Sequence, residues 1–317
     1  MESMTEASLS VLSLENNESF PIQEKPFCGT GPAFTGGFSL RLANEQGWNI
    51  LFTEGTKSLV EKWASIMEIK ENGTHGYPQM LFLRREENSQ VWEEKKEWEV
   101  QNLERMKIWS HPSSPHIICE IGAEDHFDLD LIRMWTATYP IYQRAVEAGG
   151  LPFHACLAGR GGAGVLLAAP GGGGKSTCAR RFSPPWKVLC DDETLIVLDP
   201  EGRYHVHPFP TWSNYFWRRE ERTWDVQGSL PLSAIFFIKK GEKDGVIPLG
   251  GGEAAARMYQ AAQQVCLRNW RYFSAEEERG EKEKLFANAC RLAQNIPAFT
   301  LHVSLKGQFW KEVEKVI

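Results

Sequence analysis

The sequence lacks an apolar run long enough to cross a membrane, which takes about 20 residues in a helix. Its first residues are polar and acidic, so they also lack the basic and then apolar order of a secretion signal. Basic residues are fewer than acidic ones, 35 against 41, and the formal net charge is -6. That balance argues against broad attraction to nucleic acid or to an anionic membrane. We therefore expect a cytoplasmic protein with neither nucleic acid nor membrane as a partner.

Closely spaced cysteine pairs are also absent. The chain has 7 cysteines, and their scatter predicts buried or free thiols and no zinc or redox site. With 317 residues, 42% hydrophobic and 24% charged, the chain has the composition of a globular protein with a proper core. Its length suits one large domain or two ordinary ones, and we predict two.

The predicted fold class is α/β, with a division at the glycine pair Gly149 and Gly150, which closes a predicted helix. We expect a loosely held tail over residues 1–35, a smaller α+β domain over residues 36–150 and a nucleotide-binding domain with a mixed sheet over residues 151–317. The α+β domain would recruit substrate or make oligomer contacts. Its charged stretch NSQVWEEKKEWEV fits either an exposed strand pair or a solvated helix.

The second predicted domain opens with two apolar runs, FHACLAG and GVLLAAP, joined by the turn RGGAG. This order predicts a β-hairpin. A helix follows from Lys175 to about Phe182, where Pro184 and Pro185 stop it. Further strands, two long helices and a closing strand AFTLHVS complete the chain.

The stretch APGGGGKST, residues 169–177, joins that hairpin to the helix. Glycines let a backbone wrap closely around phosphate oxygens, because they accept positive φ and carry no Cβ. Ala169 stands where the usual phosphate-loop pattern has a glycine, and a flexible linker is the alternative. We predict that ATP phosphates are held by Gly171, Gly172, Gly173, Gly174, Lys175, Ser176 and Thr177.

Two neighbouring carboxylates, Asp191 and Asp192, end the next apolar run. Beside a phosphate loop, one would bind Mg²⁺ and the other would orient and deprotonate an attacking hydroxyl. The Ser176 hydroxyl would be a further Mg²⁺ ligand, and a polar hairpin turn is the alternative for the two aspartates. His154, in LPFHACLAG, taken alone fits a hydrogen-bonded histidine in a strand.

Together these segments resemble the HPr kinase/phosphorylase superfamily, whose nucleotide domain is similar to that of phosphoenolpyruvate carboxykinase. The matching residues are His154-Ala155, the GKS that begins at Gly174, and Leu189 to Asp192. The resemblance covers about residues 154–209 well. Within the superfamily the chain looks most like the stand-alone relatives encoded with peptide-modification cassettes, such as the ScmC type of the SynChlorMet cassette and the lasso-peptide kinases.

This resemblance implies a kinase that uses ATP and Mg²⁺ to phosphorylate a hydroxyl, most simply a serine, of a peptide or small protein. The precursor of a ribosomally made peptide product is the acceptor it suggests, and a homo-oligomer is an expected assembly. It gives His154, Lys175, Asp191 and Asp192 catalytic roles beside the reacting phosphate. Of the two aspartates we favour Asp192 as the base, and Asp191, with Ser176, as a Mg²⁺ ligand. A nucleotide-dependent binding module without transfer, or a small-molecule kinase, remains an alternative.

One motif of the bifunctional relatives, Glu-x-Arg-Gly after the aspartates, has no counterpart in the expected strand context, so we do not expect phosphorolysis. The equivalent zone is HVHPFPTWSNYFWRRE, where His207, Arg218 and Arg219 are candidate phosphate or substrate contacts. Its aromatic side chains fit either a buried loop or a peptide-binding lip.

Overall fold

The computed structural model describes residues 33–70, 76–88, 97–122, 127–217 and 221–317. Residues 1–32 of the predicted tail lie outside the described residues, and so do Arg218, Arg219 and residues 89–96 of the charged stretch. Of the described part of that stretch, Glu99 and Val100 belong to an antiparallel strand pair, whereas Asn88 ends a short helix.

The first half of the chain forms a six-stranded mixed sheet with helices α1 (Lys57–Ile66), α2 (Arg85–Asn88), α3 (Phe127–Ala137) and α4 (Tyr139–Glu147). Its strands are β1 (Phe34–Arg41), β2 (Gly47–Thr53), β3 (Gln79–Arg84), β4 (Glu99–Leu103), β5 (Met106–His111) and β6 (Ser114–Ile121). The strand order is β1-β2-β3-β6-β5-β4, with β3 parallel to both of its neighbours. In α1, Leu59, Val60 and Trp63 are buried at helical spacing, so this amphipathic face packs on the core.

The second half forms an eight-stranded mixed sheet. Its strands are β7 (Leu151–Arg160), β8 (Ala163–Ala168), β9 (Lys187–Cys190), β10 (Glu193–Leu198), β11 (Tyr204–Phe209), β12 (Leu230–Lys240), β13 (Gly245–Pro248) and β14 (Ala298–Val303). The predicted hairpin is β7 and β8, and β12 runs parallel to both β8 and β14. Because β11 also pairs with β12, strands β7, β8, β12, β11 and β10 form a closed ring. The predicted α/β class with mixed sheets is confirmed.

The helices of this half are α5 (Lys175–Arg181), α6 (Trp212–Phe216), α7 (Gly251–Trp270), α8 (Ala275–Asn295) and α9 (Phe309–Val313). Helix α8 begins with a reciprocal capping box between Ser274 and Glu277. No helix of the described residues is both long and apolar enough to span a bilayer. The described cysteines are all free thiols, and all except Cys290 are buried.

One hydrophobic cluster runs through both halves of the chain, from Phe38 and Trp63 to Phe153 and Ile235. Backbone hydrogen bonds also cross between the halves, among them Trp224 N–H to the Ile66 carbonyl at 2.8 Å. The chain passes from the first sheet to the second through Gly149, whose φ is 88°. The division into domains at this point stays a prediction.

The fold brings several strand ends to one edge of the second sheet. Ala155 of β7 is the register partner of Ala168, the last residue of β8. His154 is the partner of Glu193, the first residue of β10. The glycine loop therefore leaves the sheet beside the start of β7, where the chain also turns from β9 into β10.

Candidate functional site

The glycine loop between β8 and α5 has a backbone that requires glycine. Gly172 and Gly174 have φ of 73° and 110°, a region that residues with a Cβ rarely adopt. A Cβ on Gly173 would lie 2.8 Å from the Pro170 carbonyl oxygen. Ala169 does not have a positive φ. The loop therefore accommodates an alanine at the position where a glycine is usual.

Lys175 is the first residue of α5, and its side chain turns inward. The residue is only 6% exposed, and its ammonium donates to the Ala169 carbonyl oxygen at 3.0 Å. The same Nζ lies 2.8 Å from Nε2 of His154. Burial lowers the pKa of Lys175, and the charges of Asp192 and Asp191 oppose that shift.

His154 has a partner for each ring nitrogen. Its Nδ1 lies 2.6 Å from Oε1 of Gln264 on α7. Its Nε2 lies 2.9 Å from Oδ1 of Asp192, in addition to its contact with Lys175. A protonated ring nitrogen donates and an unprotonated one accepts, so Nε2 bonds either to the carboxylate or to the ammonium at any moment.

The two neighbouring carboxylates have different partners. Asp191 accepts a hydrogen bond from the Thr211 hydroxyl at 2.8 Å, whereas Asp192 contacts His154. Burial alone would raise the pKa of Asp192, but the hydrogen bond with His154 and the charges of His154 and Lys175 outweigh it and hold that pKa below its usual value. Asp192 is therefore ionised near neutral pH.

The remaining predicted phosphate contacts lie where the loop meets solvent. Gly171, Gly172, Ser176 and Thr177 are exposed, and a Cβ built on Gly171, Gly172 or Gly174 meets nothing within 4 Å. The outer side of the loop is therefore open to a ligand. The cavities described elsewhere in the molecule, such as one of about 500 Å³ lined by Tyr259 and Phe286, do not include the residues that contact His154.

Among the described residues, no group of three His, Cys, Asp or Glu side chains could hold a metal ion alone. Mg²⁺ that is bound together with a nucleotide needs fewer protein ligands, because the phosphate oxygens supply part of its coordination beside one or two carboxylates. Asp191, Asp192 and the exposed Ser176 hydroxyl are hard oxygen donors of that kind. The donor set therefore fits Mg²⁺ held jointly with a nucleotide and does not fit a resident structural metal.

One predicted phosphate or substrate contact, His207, does not lie at the site. His207 is fully buried, and its ring bonds to the Val226 carbonyl oxygen and the Ala43 N–H. In the aromatic segment, Trp212 and Tyr215 are buried, whereas Trp217 is 69% exposed. Of the two predicted alternatives, the buried loop therefore describes most of this segment. One indole, that of Trp217, lies at the surface.

Sequence reasoning missed two residues that contact the site. Thr211 lies in the segment quoted for its aromatic residues, and Gln264 lies in the middle of a long helix, 110 residues after His154. The only local signal for Gln264 is a pair of glutamines, Gln260 and Gln264, spaced for one face of a helix.

Residues 117–317 match the model of the family described as SynChlorMet cassette protein ScmC. The match covers more than half of the chain and includes every residue of the site. No curated protein matches the chain.

Proposed function

The chain belongs to the family of SynChlorMet cassette protein ScmC, and we propose that it is a kinase that uses ATP and Mg²⁺. In this proposal residues 151–317 are a nucleotide domain of the HPr kinase type, similar to that of phosphoenolpyruvate carboxykinase. The γ-phosphate passes to a hydroxyl, most simply that of a serine, on a peptide or small protein.

The observation that carries this proposal is the meeting of Lys175, His154 and Asp192 beside the glycine loop. Among the described residues, no carboxylate lies within ion-pair distance of the Lys175 ammonium, whose partners are a carbonyl oxygen and a ring nitrogen. A buried charge without an opposite charge in contact is costly. A bound phosphate would supply that opposite charge, so the arrangement favours an anion at the loop.

Each residue then has a physical role. Lys175 offsets negative charge that builds on the transferred group, and the glycine loop surrounds the phosphates without steric conflict. Asp191 and Ser176 hold Mg²⁺, which neutralises phosphate charge when bound. Asp192 accepts a hydrogen bond from the attacking hydroxyl and takes its proton. A low pKa suits this task, because phosphoryl transfer through a loose transition state needs an oriented nucleophile more than a strong base.

The acceptor is proposed from the resemblance to kinases of peptide-modification cassettes and from one structural link. Thr211 bonds to Asp191, and it directly precedes α6, which ends next to the exposed Trp217. The exposed indole thus belongs to the same short segment of chain as the residue that contacts Asp191. Exposed tryptophans are common anchors in contacts with bound partners.

The test is transfer itself. We would incubate the protein with ATP, Mg²⁺ and a panel of serine-containing peptides, including any short peptide encoded beside its gene, and measure intact masses. We expect a gain of one phosphoryl group, and a rate at least about 100-fold lower in Lys175→Ala because a charge-stabilising group is lost. Lys187→Ala, at an exposed position on β9, is the matched control and should transfer normally.

Two results would overturn the proposal. Transfer that persists in Lys175→Ala would place the chemistry elsewhere. Tight nucleotide binding with no product on any peptide would favour a nucleotide-dependent binding module.

A further inference from the structure

We infer that the outer edge of β4, which is the side of that strand away from β5, is a docking surface for an extended peptide segment with apolar and basic side chains. The binding itself is independent of the reaction. That the bound segment belongs to the acceptor rests on the proposed function.

Strand β4 lies at one end of the six-stranded sheet and, among the described residues, pairs only with β5. Edge strands are commonly protected by lysine, proline or a bulge, because their unpaired backbone groups can accept a further strand. The residues of β4, EVQNL, include neither lysine nor proline, and their register with β5 has no shift. At the opposite edge, β1 has a register shift between Phe34 and Gly36. The outer edge of β4 is therefore the more suitable of the two for strand addition.

A cavity of about 530 Å³ opens at this edge. Strand β5 lines it with alternate residues, Ile108 and Ser110, whose register partners on β4 are Gln101 and Glu99. Because alternate residues share one face of a sheet, these four lie on the same face. Val100 belongs to the opposite face, yet it also lines the cavity. The cavity therefore reaches around the outer edge of β4, where an added strand would lie.

Negative charge surrounds this cavity. Its charged residues are three exposed glutamates and one arginine: Glu99, Glu147, Glu277 and Arg144. The Arg144 guanidinium lies over the Trp48 ring, 5.1 Å from its centroid, and donates to a main-chain carbonyl oxygen. The guanidinium is therefore directed toward the protein, whereas the glutamates are exposed. Such a surface attracts a ligand with positive charge and repels an acidic one.

The same cavity has apolar walls. Ile108 and Ile117 line it, and Val100, at its rim, is 42% exposed. When a peptide adds a strand to a sheet, main-chain hydrogen bonds supply affinity and pockets for alternate side chains supply specificity. The occupant that fits is thus an extended segment that carries apolar side chains for the cavity and basic side chains for its glutamates.

The far end of β4 lies close to the candidate site. Glu104 directly follows β4, and its carboxylate accepts a hydrogen bond from Arg268 of α7 at 3.3 Å. Gln264, one helical turn earlier on α7, contacts His154 at 2.6 Å. A peptide bound along β4 would therefore approach α7 about one turn from the side chain that contacts His154. This placement favours a segment of the acceptor as the occupant.

The direct experiment measures binding of a short fluorescent peptide of alternating lysine and valine to the full chain, by anisotropy at low salt and without nucleotide. We expect saturable binding, and none of the matched peptide of alternating glutamate and valine. In Glu99→Gln/Glu147→Gln, which removes two charges with little change of shape, the dissociation constant should rise about 10-fold. Glu61→Gln/Glu201→Gln removes two exposed charges elsewhere and should bind like the wild type.

Amide hydrogen exchange shows where the peptide binds. We expect slower exchange in residues 99–103 when the lysine-valine peptide is bound, and unchanged exchange in β1, the opposite edge of the same sheet. Val100→Lys, which places a protecting lysine on the edge, should prevent binding. The inference is overturned by absence of binding, by equal affinity for the wild type and Glu99→Gln/Glu147→Gln, or by protection confined to other segments.

The link to the acceptor has its own readout. For a phosphorylated peptide that carries a basic segment, Glu99→Gln/Glu147→Gln should raise KM about 10-fold with little change in kcat, because these glutamates hold the substrate equally before and during transfer. An unchanged KM would show that the docked segment is not part of the acceptor. If no peptide is phosphorylated by any variant, the proposed function fails, while binding and hydrogen exchange still decide whether β4 is a docking surface.

Discussion

The two aspartates of the site are adjacent in sequence but differ in their surroundings. Thr211 occupies one oxygen of Asp191, and His154 contacts Asp192. Their separate partners explain how two carboxylates can lie side by side without sharing a proton, because each is oriented toward a different neighbour. The lowered pKa of Asp192 keeps it ionised and able to accept a hydrogen bond.

This difference predicts separable effects of two isosteric substitutions. Asp192→Asn should lower kcat about 100-fold or more, because an amide cannot take the proton of the attacking hydroxyl. Asp191→Asn should instead raise the Mg²⁺ concentration that gives half-maximal transfer. A Mg²⁺ titration of the transfer rate in both variants measures this. Identical Mg²⁺ dependence in the two variants would contradict the assignment.

At the residue level, the sequence could predict groups that belong to short patterns. The glycine loop, Lys175 and the paired aspartates are recognisable because the backbone and charge requirements of phosphate binding are local. Thr211 and Gln264 could not be predicted in the same way. Their contacts depend on how α6 and α7 pack on the sheet, and a single threonine or glutamine carries no pattern of its own.

At the level of elements, the loop conformation leads to a prediction about its glycines. Gly174 has a φ of 110°, and an alanine there would be strained by about 1 kcal/mol or more. Gly171 does not have a positive φ, and a Cβ on it would meet nothing within 4 Å. We expect Gly174→Ala to weaken ATP binding at least about 5-fold. Gly171→Ala should bind normally.

Isothermal titration of ATP with Mg²⁺ measures both variants. Thermal unfolding measures the strain separately. Gly174→Ala should lose about 1 kcal/mol of stability, whereas Gly171→Ala should match the wild type. Equal affinities would show that the loop conformation is not needed for binding.

Most helices and strands of the second half were predictable from their periodicity, and the hairpin of β7 and β8 from its turn. The pairing of β9 with β7, and the closure of the ring through β11 and β12, were not. Periodicity tells which face of a strand is buried, but the choice of neighbour depends on contacts distant in sequence.

At the scale of the whole molecule, one hydrophobic cluster contains residues of both sheets, which the sequence did not predict. An apolar helix face indicates burial, and it does not say which surface covers it. His207 is a clear example. It was a candidate phosphate contact, yet it lies in the core, where it joins Ala43 of the first half to Val226 of the second.

That buried histidine predicts how stability depends on pH. Burial disfavours the charged ring and lowers the pKa of His207 from 6.5 to about 4, although the bond to the Val226 carbonyl oxygen opposes the shift. Above pH 6.5 the ring is neutral in both folded and unfolded chains. As the pH falls toward 4, only the unfolded chain takes up the proton, so the free energy of unfolding falls, by about 3 kcal/mol in total.

His207→Gln removes the titrating group. We expect this variant to be less stable than the wild type at pH 7.5, because glutamine fits the hydrogen bonds to Ala43 and Val226 less closely. Between pH 6.5 and 4 it should lose less stability than the wild type. Urea unfolding across that range measures the difference in slope. His302→Gln, on β14, is the control and should follow the wild type. Parallel curves for His207→Gln and wild type would mean that His207 titrates alike in folded and unfolded chains, and that another group causes any acid lability.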